Sequence, residues 1–224
     1  MMRIIYRATV SLLGAAFAAA LFAVAGTLFA IWSFGADLPD YRQLAAYEPP
    51  IVSRVYAADG ALIGEFASEK RIFVPYGSIP KRVVHAFVSA EDRRFFRHPG
   101  IDVFGIARAL RSNVTAAAGR RPQGGSTITQ QVAKIFLLTP ERSLDRKIKE
   151  MILSLRIERA FTKERILELY LNQIYLGQQA YGVAAAAQVY FGKALDELTI
   201  AEAAFLAALP QAPSRFNPRR NSKE

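Results

Sequence analysis

The sequence predicts a mainly α-helical domain preceded by one membrane-spanning helix and a small β-hairpin linker. Three observations carry this. A charge-free apolar run stands near the N-terminus, a short stretch of β-rich residues surrounds an Asp-Gly pair, and from residue 81 onward apolar positions recur at helical spacing behind recognisable cap residues. The 224 residues suffice for one substantial domain plus an anchor, and not for two large domains. Hydrophobic residues make up 52% of the chain and the mean hydropathy is slightly positive, which directs attention to a membrane segment first.

Arg3 and Arg7 precede a run from Ala8 to Phe34 without a charged side chain. About 20 apolar residues span a bilayer, so this run is long enough. Basic residues before it, and Asp37 and Asp40 after it, place the N-terminus in the cytoplasm and the rest of the chain outside. Ala23-Val24-Ala25 resembles a signal-peptide cleavage site, but the run exceeds a typical signal core, so an anchor is the preferred reading. Both readings export the remainder. Residues 1–36 are thus assigned to the cytoplasmic tail and anchor, 37–80 to a linker, and 81–224 to the main domain.

Within the linker, Val52, Val55 and Tyr56, then Leu62, Ile63 and Phe66, flank Ala58-Asp59-Gly60, which reads as a hairpin. Helices follow. One covers Val83 to Phe95. Asp102 is a cap candidate for a second through Ile106, Leu110 and Val114. Ser126 is the cap candidate for a third containing Ile128, Val132, Ile135 and Phe136. Ser143 precedes a fourth with Leu144, Ile148, Met151, Ile152 and Leu155. Thr162 opens a fifth that ends near Gly177, and Thr199 with Glu202 forms a capping-box pattern before a helix that Pro210 stops. Alanine-rich stretches are read as parts of helices, and no internal repeat is present.

The chain has no cysteine, which excludes disulfides, thiolate metal sites and a cysteine nucleophile. Its formal net charge of +10 suits a polyanionic partner: nucleic acid, anionic lipid or a phosphate-bearing substrate. Three segments stand out chemically. Glu91-Asp92-Arg93-Arg94-Phe95-Phe96-Arg97-His98-Pro99-Gly100 sets carboxylates at a helix break beside aromatics; its plain alternative is a solvated helix end of mixed charge. Arg121-Pro122-Gln123-Gly124-Gly125-Ser126-Thr127-Ile128-Thr129-Gln130-Gln131 opens a helix with free backbone N–H groups, an anion site with Lys134 two turns on, or else an ordinary flexible loop and cap. It lacks the Gly-Lys-Ser/Thr ending of a Walker loop. On a helix, Arg146, Lys147 and Glu150 share one face, either as surface ion pairs or as a carboxylate ringed by cations suited to a diphosphate. Ser78-Ile79-Pro80-Lys81 matches a Ser-x-x-Lys pattern only formally. Pro80 breaks the helix that pattern needs, and no Ser-Asp-Asn or Lys-Thr-Gly follows.

Two further segments come after these in order: Arg165 to Gly177, including Glu168-Leu169-Tyr170-Leu171-Asn172, and Ala203 to Ser214. The five together resemble the successive motifs of the peptidoglycan glycosyltransferase module (transglycosylase, glycosyltransferase family 51) of class A penicillin-binding proteins, over about residues 51–218. The segment Ser53 to Gly60 resembles the bifunctional members, which creates the expectation of a truncated C-terminus with a transpeptidase domain beyond it.

The resemblance implies a lysozyme-like, two-lobed helical fold with a membrane-dipping jaw over Phe104–Gly119. It implies that lipid II and a lipid-linked glycan strand are the substrates, with Glu91 as catalytic base and Glu150 as the second essential glutamate. By the same likeness, Lys134, Arg146 and Lys147 lie near the donor diphosphate, and Ser126, Thr127, Gln130 and Gln131 line the cleft. A divalent cation, Mg²⁺ or Mn²⁺, suits carboxylate and phosphate oxygens, its ligands unknown; no organic cofactor is expected. His98 is read as structural. The expected setting is the periplasmic or extracellular side of the cytoplasmic membrane, single-pass, among cell-wall synthesis proteins and without nucleic acid. Two rivals stay open: a lysozyme-like hydrolase or lytic transglycosylase, which paired glutamates also suit, and a non-catalytic basic binding domain tethered to the membrane.

Overall fold

The computed structural model describes residues 2–35, 38–47, 53–59, 62–66, 70–115, 124–141 and 143–211. It is mainly helical with two small sheets. Helix α1, Met2–Gly35, covers the whole uncharged run as one helix of 34 residues, about 51 Å long at 1.5 Å per residue. Its described apolar side chains, Leu12, Leu13, Phe17 and Phe22 among them, are exposed. Counted over the described residues alone, no helix is long and apolar enough to cross a membrane. Several side chains of α1 fall outside that count. At its C-terminal end the Arg156 guanidinium donates to the Gly35 carbonyl at 3.4 Å.

The expected hairpin is present. Strand β1, Ser53–Tyr56, pairs antiparallel with β2, Leu62–Phe66, in a register that runs from Ser53 opposite Phe66 to Tyr56 opposite Leu62. Gly60 of its turn lies outside the described residues, as do Asp37, residues 116–119 of the expected jaw, residues 121–123 of the glycine-rich motif, and everything after Gln211. A second pairing was not legible from the sequence. Strand β3, Lys70–Arg71, runs parallel to β4, Ala180–Tyr181. Two residues per strand leave no alternation to read, and the partners lie over a hundred positions apart.

Helix α2, Lys81–Glu91, buries Val83, Val84, Phe87 and Val88, one apolar stripe at helical spacing. It ends at Glu91 rather than continuing to Phe95. Asp92 leaves helical geometry (φ −153°, ψ 76°) because its side chain is committed elsewhere, and Phe95–Arg97 form a separate 3-10 turn. Helix α3, Val103–Thr115, follows with Val103, Phe104, Leu110 and Val114 exposed.

Helix α4, Ile128–Leu137, is capped by Thr127 and not by Ser126. The Thr127 hydroxyl accepts from the Gln130 N–H at 3.2 Å, and the Gln130 side chain accepts from the Thr127 N–H at 3.1 Å. Moving the cap one residue along places Gln130 at the third helical position, where a capping box needs it. The other caps stand where the sequence puts them: Ser143 for α5, Leu144–Ala160; Thr162 for α6, Lys163–Gln173; and Thr199 with Glu202 for α8, Ile200–Ala208. Helix α7, Val183–Phe191, has no side-chain cap and a run of four buried alanines, so neither caps nor amphipathic contrast mark it in the sequence.

One core joins α2, α4, α5, α6, α7 and α8. Helix α6 is buried on most sides, and its polar residues fasten the linker to the domain. Asn172 takes the Val74 N–H on Oδ1 and gives its amide to the Val74 carbonyl, both at 2.8 Å. Glu168 accepts from the Tyr76 N–H at 2.7 Å and pairs with Arg165, which also donates to the Leu44 carbonyl. Replacing Asn172 with Ala orphans the N–H and carbonyl of the half-buried Val74. Thermal or denaturant unfolding should show a loss of about 1–3 kcal/mol; an unchanged midpoint would mean the clasp carries no stability.

Candidate active site

The site is organised by a turn between α2 and α4. Asp92 is buried, and its carboxylate accepts three bonds: the His98 Nε2–H at 2.9 and 3.0 Å to its two oxygens, and the Ile128 N–H at 3.1 Å. His98 Nδ1 in turn accepts from the Gly100 N–H at 3.1 Å. With one ring nitrogen accepting, the proton of a neutral ring belongs on Nε2, facing Asp92. Gly100 has φ +106°, and a Cβ there would lie 2.7 Å from the Ser154 carbonyl oxygen, so the position requires glycine. The Thr127 hydroxyl donates to the Gly100 carbonyl at 2.6 Å. The start of α4 is thereby locked against the end of α2. His98 is part of this lock, as the sequence reading had it.

Glu91 is the last residue of α2. Its Oε2 accepts from the Gln131 side-chain amide at 2.7 Å, while the buried Oε1 has no partner among the described residues. Desolvation pushes its carboxyl above the ordinary range. The Gln131 bond and the Lys134 charge oppose the shift, and the Asp92 charge adds to it.

Glu150, 3% exposed, sits on α5 between two cations. Lys147 Nζ lies 2.8 Å from its Oε2 and donates at 2.8 Å to the Ser126 hydroxyl. Arg146 Nε lies 3.1 Å from Glu150 Oε1 without hydrogen-bond alignment, a Coulombic contact, and Arg146 also donates to the Pro140 carbonyl. A buried carboxylate in such a setting is tolerable only because both cations attend it.

Lys134 on α4 links the two halves. Its ammonium is held below the usual lysine range, first by desolvation and then by Arg146 and Lys147, while Glu150 and Glu91 act the other way. The residue as a whole is exposed, so its desolvation is partial. Both glutamates therefore act on one lysine.

Of the nine residues singled out from the sequence, the structure brings seven together around α4: Glu91, Gln131, Lys134, Ser126, Lys147, Arg146 and Glu150. Thr127 and Gln130 are placed differently. Both are 1% exposed and bonded to each other and to backbone, so they are buried structural residues of the start of α4 rather than a surface lining. The sequence also passed over Asp92, since a carboxylate among arginines reads as a solvated charge. It passed over the buried pair Thr129–Glu158 as well, where the hydroxyl donates at 2.5 Å and Lys163 closes the charge at 2.7 Å. No local signal marks either. Among the described residues no three His, Cys, Asp or Glu side chains converge, so a resident metal cage does not fit this donor set.

Fold and site together describe a helical domain in which one half-buried carboxylate and one cation-attended carboxylate lie on either side of a shared lysine. The family model described as Transglycosylase matches residues 59–224, and the chain belongs to that family. It is 59% identical over 196 residues to penicillin-binding protein 1A of Rickettsia felis, covering 87% of this chain and 25% of that protein. Against penicillin-binding protein 1A of Aquifex aeolicus it is 56% identical over 81% of this chain and 25% of the other. Against that of Escherichia coli K12 it is 50% identical over 87% and 23%. The chain thus spans about a quarter of the length of the curated relatives it matches. A crystal structure of penicillin-binding protein 1A from Haemophilus influenzae aligns over 79% of this chain and 16% of that one at 32% identity, with a TM-score of 0.42.

The raised carboxyl of Glu91 has a stability consequence. Between the ordinary and the raised value the folded chain holds a proton that the unfolded chain has released. Stability from this group is full below the ordinary value and falls as pH rises through the raised one. Glu91→Gln removes the dependence. Its unfolding temperature should exceed wild type near neutral pH and converge with it under acid; a variant less stable than wild type at neutral pH contradicts this.

Proposed function

We propose that this chain is a peptidoglycan glycosyltransferase that polymerises lipid II into β-1,4-linked glycan strands and releases undecaprenyl diphosphate. The observation that carries the reading is the pairing of a free, basic Glu91 oxygen with a three-cation cluster across α4. A sugar hydroxyl is a weak nucleophile and needs a base in reach. Glu91 Oε1 takes the proton from the acceptor 4-hydroxyl, and that oxygen bonds to C1 of the donor N-acetylmuramic acid. The bond from C1 to the diphosphate oxygen breaks with its electron pair leaving on the diphosphate, and the anomeric centre inverts. Lys134, Arg146 and Lys147 receive the developing negative charge. A carboxylate that burial pushes above its ordinary range is a stronger base than an ordinary one.

A divalent cation, where one takes part, would arrive with the diphosphate oxygens rather than in a protein cage, and the lysines and arginine supply neutralisation of their own. The setting follows from the apolar elements. Helix α1 is the single membrane anchor, and the exposed apolar side of α3 (Val103, Phe104, Leu110, Val114) enters the bilayer surface as the jaw of a lysozyme-like, two-lobed domain. Both elements bring the groove to the periplasmic face of the cytoplasmic membrane, where a lipid-linked sugar is reachable.

A gel assay of lipid II polymerisation tests the reading. Wild type should convert lipid II into long strands and leave finished glycan uncut, and Glu91→Gln should lower the rate by about 10²–10⁴-fold. Cleavage of finished glycan, or full polymerising activity in Glu91→Gln, would refute it.

A further inference from the structure

We infer that Tyr170 is a positioning residue for Glu91, its phenol hydroxyl pairing with Oε1 of the ionised carboxylate directly or through one water. The inference rests on Glu91 being the base and adds a residue to that site. Tyr170 lies on α6 and is fully buried, yet its hydroxyl has no partner among the described residues, and the same holds for Glu91 Oε1. A buried phenol without a bond is costly, and phenylalanine would fill this apolar position without that cost. The ring packs edge-on against Phe87, centroids 6.3 Å apart at 73°. Phe87 stands one turn before Glu91 on α2, so the contact sets the phenol beside the carboxylate's face of that helix. The Glu91 charge is felt at the hydroxyl and helps burial hold it well above the usual tyrosine range, so it stays a neutral donor throughout the working pH.

The surrounding charges leave this role open. From α4, Gln131 occupies Oε2 and Lys134 contributes charge; Asp92 follows on the same strand of chain; on α8, Glu202 is taken up by Lys193 and Thr199. Oε1 has two lone pairs, so a phenol on one leaves the other for the acceptor hydroxyl. Donation to the carboxylate favours its ionised form, opposing the desolvation that raises Glu91, and fixes its rotamer.

Tyr170→Phe keeps the ring and removes the donor. In a lipid II polymerisation assay across pH, kcat should fall about tenfold with KM unchanged, and the acid limb of the profile should move to higher pH. Incorporating 3-fluorotyrosine at position 170 strengthens the donor without altering packing and should move the limb to lower pH. Acid limbs that coincide with wild type in both proteins overturn the inference, as does a loss expressed only in KM. Glu91→Gln run alongside separates the two readings: an active Glu91→Gln removes the base itself, whereas an inactive one with unmoved tyrosine profiles removes only the role of Tyr170.

Discussion

The arrangement depends on one buried carboxylate. Asp92 ends α2 because its side chain is needed inward, where it holds the His98 ring and the first N–H of α4. A buried acceptor held by two donors, one of them shared between both its oxygens, is rigid, and its position in the chain makes that rigidity useful. Glu91 immediately precedes it, Gln131 and Lys134 belong to the helix it anchors, and Ser126 stands just before that helix's cap. The hydrogen bond from Gln131 to Glu91 then closes a small ring of polar interactions between two helices, beside the Thr127–Gly100 bond.

Helix α4 divides the electrostatics of the groove. On one side lies a carboxylate that burial makes reluctant to ionise; on the other lies one that Arg146 and Lys147 attend closely. Lys134 senses both. Two acids in environments this different have their proton affinities set by different causes, burial for one and neighbouring cations for the other. Three of the chain's 29 lysines and arginines, Lys134, Arg146 and Lys147, meet at this place.

Much of the helical framework was legible because caps are local. Ser143, Thr162 and Thr199 each announce a helix within four residues, and each does cap one. Ser126 misled by one position: both hydroxyls suit a cap, and only the burial of Thr127 against Gly100 decides between them. The end of α2 was overshot because the apolar stripe continues to Phe95, while the competing pull on Asp92 comes from residues up to 36 positions away. Helix α7 and the β3–β4 pair carry no periodic contrast at all. At the site, ordered motifs pointed to Glu91 and Glu150. Asp92 and Tyr170 stayed hidden because charge among arginines and aromatic at helical spacing have ordinary readings, and only contacts distinguish the exceptions.

The most direct measurement is calorimetric titration of a prenyl diphosphate, such as geranylgeranyl diphosphate, into wild type, Glu91→Gln and the double variant Lys134→Met, Lys147→Met. Each charge-assisted bond lost is worth about tenfold in affinity. If the base and the anion site are separate halves of one groove, Glu91→Gln binds as wild type does and the lysine variant binds at least about tenfold more weakly. Equal affinity in all three proteins would contradict the account.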